Sequence, residues 1–190
     1  MNRIVFLLEE YSMKVLLDGL LPRLFPGLQF LCVPHEGKQD LEKSVPRKLR
    51  AWREPGVSFV ILRDNDGKDC HVLKARLCEL SQPCGRSSVL VRLACQELEA
   101  WYFGDPPAVV GAFNCARAKN ALAKARFRNP DAIDQPSRAL AGLVPGFQKV
   151  GGARRMAQLL GRENRSRSYE VLLSGVEALV KNPRAPTAGS

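Results

Sequence analysis

The stretch Phe59-Val60-Ile61-Leu62-Arg63-Asp64-Asn65-Asp66-Gly67 is an apolar run that ends on two carboxylates spaced i, i+2. Side chains at the carboxyl end of a parallel strand project into the crevice where open α/β sheets bind ligands. Two hard oxygen donors there suit Mg²⁺ or Mn²⁺, which takes one or two carboxylates and leaves its other positions to water and phosphate. A second apolar run, Val5-Phe6-Leu7-Leu8, stops in the same way on Glu9-Glu10. If these two strands lie side by side, Glu9 comes within reach of Asp64 and Asp66, an arrangement suited to phosphoryl transfer around one or two metals. Glu10 is assigned to the start of the next helix, where the dipole favours an acid. Taken alone, the aspartate pair also fits a solvated turn after a strand.

Short apolar runs at 3–8, 28–33, 57–63 and 88–94 read as strands. Helical stripes separate them, at 12–24 and 68–80 and through Leu41, Val45, Leu49 and Trp52, with Pro46 splitting or starting the middle one. The alternation predicts an α/β fold with a parallel sheet of about four strands flanked by helices. After Ala94 every pattern is helical, at 97–103, 108–113, 116–124, 152–160 and 169–180. The expected organisation is an α/β domain over 1–105, a helical basic extension over 106–182 packed on it, and a flexible tail over 183–190.

Charge divides along the same line. Residues 1–115 hold 15 Lys and Arg against 14 Asp and Glu, whereas residues 116–190 hold 14 against 5. A basic surface concentrates polyanions by steering and counterion release, so nucleic acid is the expected partner, a solvated basic helical face being the alternative. Arg154 with Arg155, and Arg162 with Arg165 and Arg167, are the expected phosphate contacts. Lys38, after the second strand, is placed near a phosphate, and His35 beside it is a secondary candidate that also fits a structural histidine. The six cysteines form no C-x-x-C pair and read as buried thiols rather than zinc ligands. The first apolar stretch is too short for a signal or a membrane span, so a cytoplasmic protein without membrane contact is expected.

A first strand ending in Glu, followed by a serine and a helix (Leu8-Glu9-Glu10-Tyr11-Ser12), and a third strand ending in D-x-D resemble the Toprim domain of topoisomerases, primases and OLD-type nucleases. The chain is most similar to a family of small Toprim-like proteins often encoded beside ATPases and associated with phage defence. The likeness extends to Leu93–Tyr102, which carries an E-x-W segment, and to Lys149 and Asn164-Arg165-Ser166-Arg167-Ser168-Tyr169, covering residues 3 to 180. It implies a Mg²⁺- or Mn²⁺-dependent nuclease acting on DNA or RNA under the control of an ATPase partner. Glu9, Asp64, Asp66 and Glu99 would be metal ligands and Lys149 a transition-state cation. The glycine that commonly follows the first Toprim glutamate is Glu10 here, which adds charge and bulk beside the metal.

Other readings use some of the same residues. A non-catalytic adaptor binding an ATPase would keep the fold and not the chemistry. A metal-dependent sugar-nucleotide transferase could use Val60–Asp66, but normally needs a longer chain. A receiver-like module leaves the basic helical half unused, and a D-x-D-G phosphatase carries its nucleophile on the first strand. No G-x-x-x-x-G-K-[ST] is present, so ATP is not bound through a P-loop.

Overall fold

A computed structural model describes residues 3–84 and 89–181 of the chain. Four strands, β1 (Arg3–Leu8), β2 (Gln29–Pro34), β3 (Ser58–Asp64) and β4 (Val89–Ala94), pair in parallel in the order β2-β1-β3-β4. The sheet expected from the apolar runs is present. The expected first residue of the fourth strand, Ser88, and the expected tail over 183–190 lie outside the described residues.

Three helices connect the strands: α1 (Tyr11–Leu24), α2 (Lys38–Ala51) and α3 (Cys70–Ser81). Beyond β4 come α4 (Ala100–Phe103), α5 (Pro106–Phe113), α6 (Ala116–Leu122), α7 (Pro136–Leu143), α8 (Lys149–Leu159) and α9 (Arg167–Lys181), joined by turns and short 3₁₀ segments. Pro46 neither splits nor starts its helix, because α2 runs through it. One missing N–H is a modest loss against the burial of Leu41, Val45 and Leu49 on the sheet.

Successive side chains of a strand point to opposite faces, and both faces of the central strands are covered. Ile4, Phe6 and Leu8 of β1 and Val60 and Leu62 of β3 join a large core with α1, α4, α5, α8 and α9. Val5 and Leu7 of β1 and Phe59 and Ile61 of β3 join a smaller core with α2 and α3. This parity decides which side of the sheet each strand-end residue enters. The helix α8 lies against α1, where Gly19 lets it approach closely: a Cβ at Gly19 would stand 2.8 Å from the Cβ of Ala157.

Candidate metal centre

The strands β1 and β3 are neighbours in register, Leu8 beside Leu62, so their carboxyl ends emerge together. The Glu9 N–H donates to the Leu62 carbonyl (3.1 Å), and Glu9 Oε2 accepts the backbone N–H of Asp64 (3.1 Å). Glu9 therefore meets the backbone of the D-x-D turn, whereas the expectation from sequence was a carboxylate on a metal shared with Asp64 and Asp66. Its carboxylate also lies 3.6 Å from the Arg63 Nε. Arg63 is 1% exposed, pairs with Glu42 of α2 at 2.7 Å, and Glu42 in turn pairs with Arg76 of α3 at 2.6 Å. Glu9, Arg63 and Glu42 thus make one charge network on the α2–α3 side of the sheet.

Asp64 enters the opposite side. It is 4% exposed, and its Oδ1 has no hydrogen-bond partner. Burial pushes its carboxyl well above the usual carboxylate range, and the neighbouring charges of Glu10, Glu9 and Glu99 push it further in the same direction. Glu99, in the turn between β4 and α4, is fully buried with neither oxygen hydrogen-bonded. Burial raises its pKa to about 7 even though Lys149 opposes the shift. Lys149, the first residue of α8, places its Nζ 3.8 Å from Glu99 Oε2 and 3.6 Å from Glu10 Oε1. Burial works against its ammonium, but Glu99, Glu10 and Asp64 outweigh that and hold the Lys149 pKa above its ordinary value.

Two further residues belong to this cluster. Glu10 occupies the N-cap position of α1, but its side chain makes no capping hydrogen bond; it accepts from the Ser12 hydroxyl and faces Lys149. Tyr102 of α4 is completely buried with its hydroxyl unpartnered. Burial raises its pKa well above the ordinary value, with Glu99, Glu10 and Asp64 adding to the shift. From sequence, Glu10 was expected to serve only the start of the helix. The signal for Glu10 was strand parity: even-numbered Leu8 and Leu62 share one face, so Glu10 and Asp64 follow on that face, and Glu9 and Arg63 follow on the other.

Asp66, at a left-handed backbone position (φ 50°), lies at the rim with its Oδ2 3.5 Å from the Lys38 Nζ. His35 stays structural, its Nδ1 donating to the Leu8 carbonyl (2.8 Å) while burial lowers its pKa. Arg154 and Arg155 are exposed on α8, and the Arg155 guanidinium lies 6.0 Å from the Phe113 ring centroid. They follow Lys149 by five and six residues, about 8 Å along the helix axis. Arg165 donates to the Phe103 carbonyl (3.0 Å), and Arg167 pairs with Glu170 (3.4 Å). Glu97 accepts the Ser137 N–H at the start of α7 (2.7 Å), and its charge acts on Glu99 and Lys149.

The segment 164–168 and Asp131 fix the turn that carries Glu99. Asn164 donates to the Trp101 carbonyl (2.9 Å) and accepts the Ser166 N–H (2.8 Å). The Trp101 Nε1 donates to the Ser168 Oγ (2.9 Å), and Asp131 accepts from the Ser166 hydroxyl (2.6 Å) and the Ser168 N–H (2.7 Å). A Cβ at Gly104 would fall 1.6 Å from Asn164 Oδ1. Gly104→Ala should therefore displace Asn164, uncouple both of its buried hydrogen bonds and cost about 2 kcal/mol. Chemical denaturation should register that loss, and a neutral outcome would mean that Asn164 is not a clamp.

The donor set is made of oxygens, as Mg²⁺ and Mn²⁺ require. Orphaned buried oxygens on Asp64 and Glu99 beside the carboxylate of Glu10 fit a cation, whose charge would offset their mutual repulsion. Among the described residues no three Asp, Glu, His or Cys side chains are placed to hold a metal ion, and the Lys149 ammonium bridges Glu10 and Glu99. None of the helices among the described residues is long and apolar enough to cross a membrane.

The family described as "Domain of unknown function (DUF4276)" matches residues 8–171. No curated protein matches the sequence. The structure is similar to the C-terminal region of the Burkholderia pseudomallei OLD protein, with TM-score 0.57 and 17% identity over 94% of this chain and 98% of that one. It is also similar to the C-terminal region of the Xanthomonas campestris pv. campestris OLD protein, with TM-score 0.54 and 14% identity over 94% and 96%. The fold is thus the Toprim-like arrangement that the sequence resemblance implied.

Proposed function

We propose that this chain, which belongs to the DUF4276 family, is a divalent-metal-dependent nuclease acting on DNA or RNA, in a defence system where an ATPase partner controls it. The observation that carries this reading is the pair of buried carboxylates, Asp64 and Glu99, with no hydrogen bond to Asp64 Oδ1 or to either Glu99 oxygen, set beside Glu10 and Lys149 at the carboxyl end of the sheet. The similarity of fold to OLD C-terminal regions over nearly the whole chain supports it.

In this reading Asp64, Glu99 and Glu10 would hold the metal, together with Asp66 at the rim. A bound divalent ion would supply Lewis acidity toward a phosphate oxygen. Glu9, fixed by Arg63, holds the Asp64 backbone in place through its N–H. The Lys149 ammonium exchanges its carboxylate partners for the charge that develops on the transferring phosphate. The test is incubation of the parent protein with single- and double-stranded DNA and with structured RNA, in Mg²⁺, Mn²⁺ or chelator, alone and with the neighbouring ATPase. Metal-dependent cleavage is expected. If no substrate is cut under any condition while the protein still binds the ATPase, it is a non-catalytic adaptor.

Arg154, Arg155, Arg165, Arg167 and Lys38 make up the proposed polyanion surface. Replacing Arg154 and Arg155 by alanine should weaken duplex binding and lower the slope of log K against log salt by about 1.8, from about 0.9 per lost phosphate contact. Fluorescence anisotropy across a salt series checks this; an unchanged slope would move the contact surface to other basic residues.

A further inference from the structure

The cluster described above uses oxygen and nitrogen groups and leaves a pair of thiols beside it without a role. Cys70, the first residue of α3, and Cys95, just after β4, hold their sulfurs 3.8 Å apart. Among the described residues no other two cysteines make such a contact: Cys84 donates to the carbonyl oxygens of Pro46 and Leu80, Cys115 donates to that of Leu143, and Cys32 is buried. Both cysteines line a cavity of about 310 Å³ together with Lys74, Leu93, Arg167 and Val171. They are neither fully buried nor fully exposed.

Their surroundings differ in a way that orders a reaction. The Asn65 Nδ2 donates to the Cys70 sulfur at 3.0 Å, a contact that strengthens as a sulfur gains negative charge. Burial, with the Asp131 carboxylate as the next contributor, pushes the Cys95 thiol up to about 12, so Cys95 is the poorer initial nucleophile. Asn65 is also a hub of the proposed metal site. Its Oδ1 accepts the backbone N–H groups of Gln96 and Gly67, its own N–H donates to the Ala94 carbonyl (3.0 Å), and the next residue, Asp66, donates its N–H to the Gln96 carbonyl (3.1 Å). Cys70 and Cys95 therefore stand on the two turns that carry Asp64, Asp66 and Glu99.

We propose that Cys70 and Cys95 form a reversible dithiol–disulfide modification site that takes a low-molecular-weight disulfide as its oxidant. The Cys70 thiolate attacks one sulfur of the small disulfide, forming a mixed disulfide and releasing one thiolate, which takes up the proton lost from Cys70. Cys95, deprotonated as it reacts, attacks the Cys70 sulfur and expels the second small thiol. Two protein thiols are oxidised and one disulfide is reduced to two thiols. Bond formation requires the sulfurs to close from 3.8 Å to about 2.05 Å. The bond ties the D-x-D turn to the turn leading into Glu99 and takes the Cys70 sulfur out of its thiol contact with Asn65. Its effect on metal binding rests on the nuclease reading; its formation does not.

The experiment equilibrates the full chain in buffers of reduced and oxidised glutathione, quenches with acid, alkylates, and maps cysteines by mass spectrometry. In the parent, Cys70 and Cys95 should lose alkylation together, giving one cross-linked peptide pair lighter by two hydrogens, while the other cysteines stay alkylated. Cys95→Ser should stop at glutathione on Cys70, and Cys70→Ser should leave Cys95 alkylatable. Cys70 and Cys95 remaining alkylatable across the series, taking up glutathione independently, or pairing with other cysteines would each overturn the proposal. The parent measurement decides the matter even if a variant fails to fold. Because no cleavage is measured, the result is separate from that of the nuclease assay. A parallel melt of oxidised and reduced parent with Mn²⁺ should show a smaller metal-induced gain in the oxidised form, and an equal gain would limit the site to a modification without effect on metal binding.

Discussion

Asp64→Asn should lose both the metal-dependent rise in melting temperature and the metal-dependent cleavage of the parent. For the parent, an ion at a hundred times its Kd stabilises the folded state by about 2.7 kcal/mol, which is roughly 5–10 °C for a chain of this size. The variant should show no such rise, and cleavage should fall by at least a factor on the order of 10²–10³. In the absence of metal it should melt no lower than the parent at neutral pH, because a buried carboxylate without a hydrogen-bond partner on Oδ1 becomes a neutral amide. Equal metal-induced gains in parent and variant would remove Asp64 from the site.

The same cluster fixes a pH dependence. Asp64 and Glu99 have folded pKa values raised above their ordinary values, Glu99 to about 7 from 4.5. The folded state then binds protons more tightly than the unfolded chain, so stability of the metal-free protein falls as pH rises between those two values. For Glu99 alone the loss is roughly 3 kcal/mol. Metal displaces those protons, so the gain in melting temperature should be larger at pH 8 than at pH 6. Thermal melts at the two pH values, with metal and with chelator, read the sign directly; a gain independent of pH would mean that the acids are already ionised.

The second large effect is expected at Arg63. Its guanidinium is almost wholly enclosed, donates to the Asp64 carbonyl (3.2 Å), and faces Glu42 at 2.7 Å and Glu9 at 3.6 Å. Removing one partner of a buried pair leaves the others without their counter-charge, at a cost of about 3–5 kcal/mol, so Arg63→Met should lower the melting temperature by roughly 10 °C. Glu42 keeps Arg76, and Glu9 keeps the Asp64 N–H. The double variant Arg63→Met, Glu42→Leu should recover part of the loss, since an apolar pair replaces the ionic one. A single-variant cost below about 1 kcal/mol would show that Arg63 contributes no more than a surface charge.

The local patterns in the sequence determined the sheet. Runs such as Phe59–Leu62 are apolar at successive positions because both faces of a central strand are covered, and stripes such as Leu41, Val45 and Leu49 repeat at the helical period because one face of α2 is covered. Those signals depend only on near neighbours, so they were legible without coordinates, as was the ending of two strands on acids. The division of labour at those ends was legible in principle from parity, which sends Glu9 to Arg63 and Glu10 to Asp64, but only once the strands are placed in register. Tertiary structure alone decided the rest. Glu99 and Lys149 stand 50 residues apart in the chain, and their meeting depends on α8 lying along α1 at Gly19 and on Asn164, Ser168 and Asp131 clamping the Trp101 turn. No periodicity encodes such contacts, because they are set by the packing of whole helices, and the raised pKa values follow from the burial that this packing imposes.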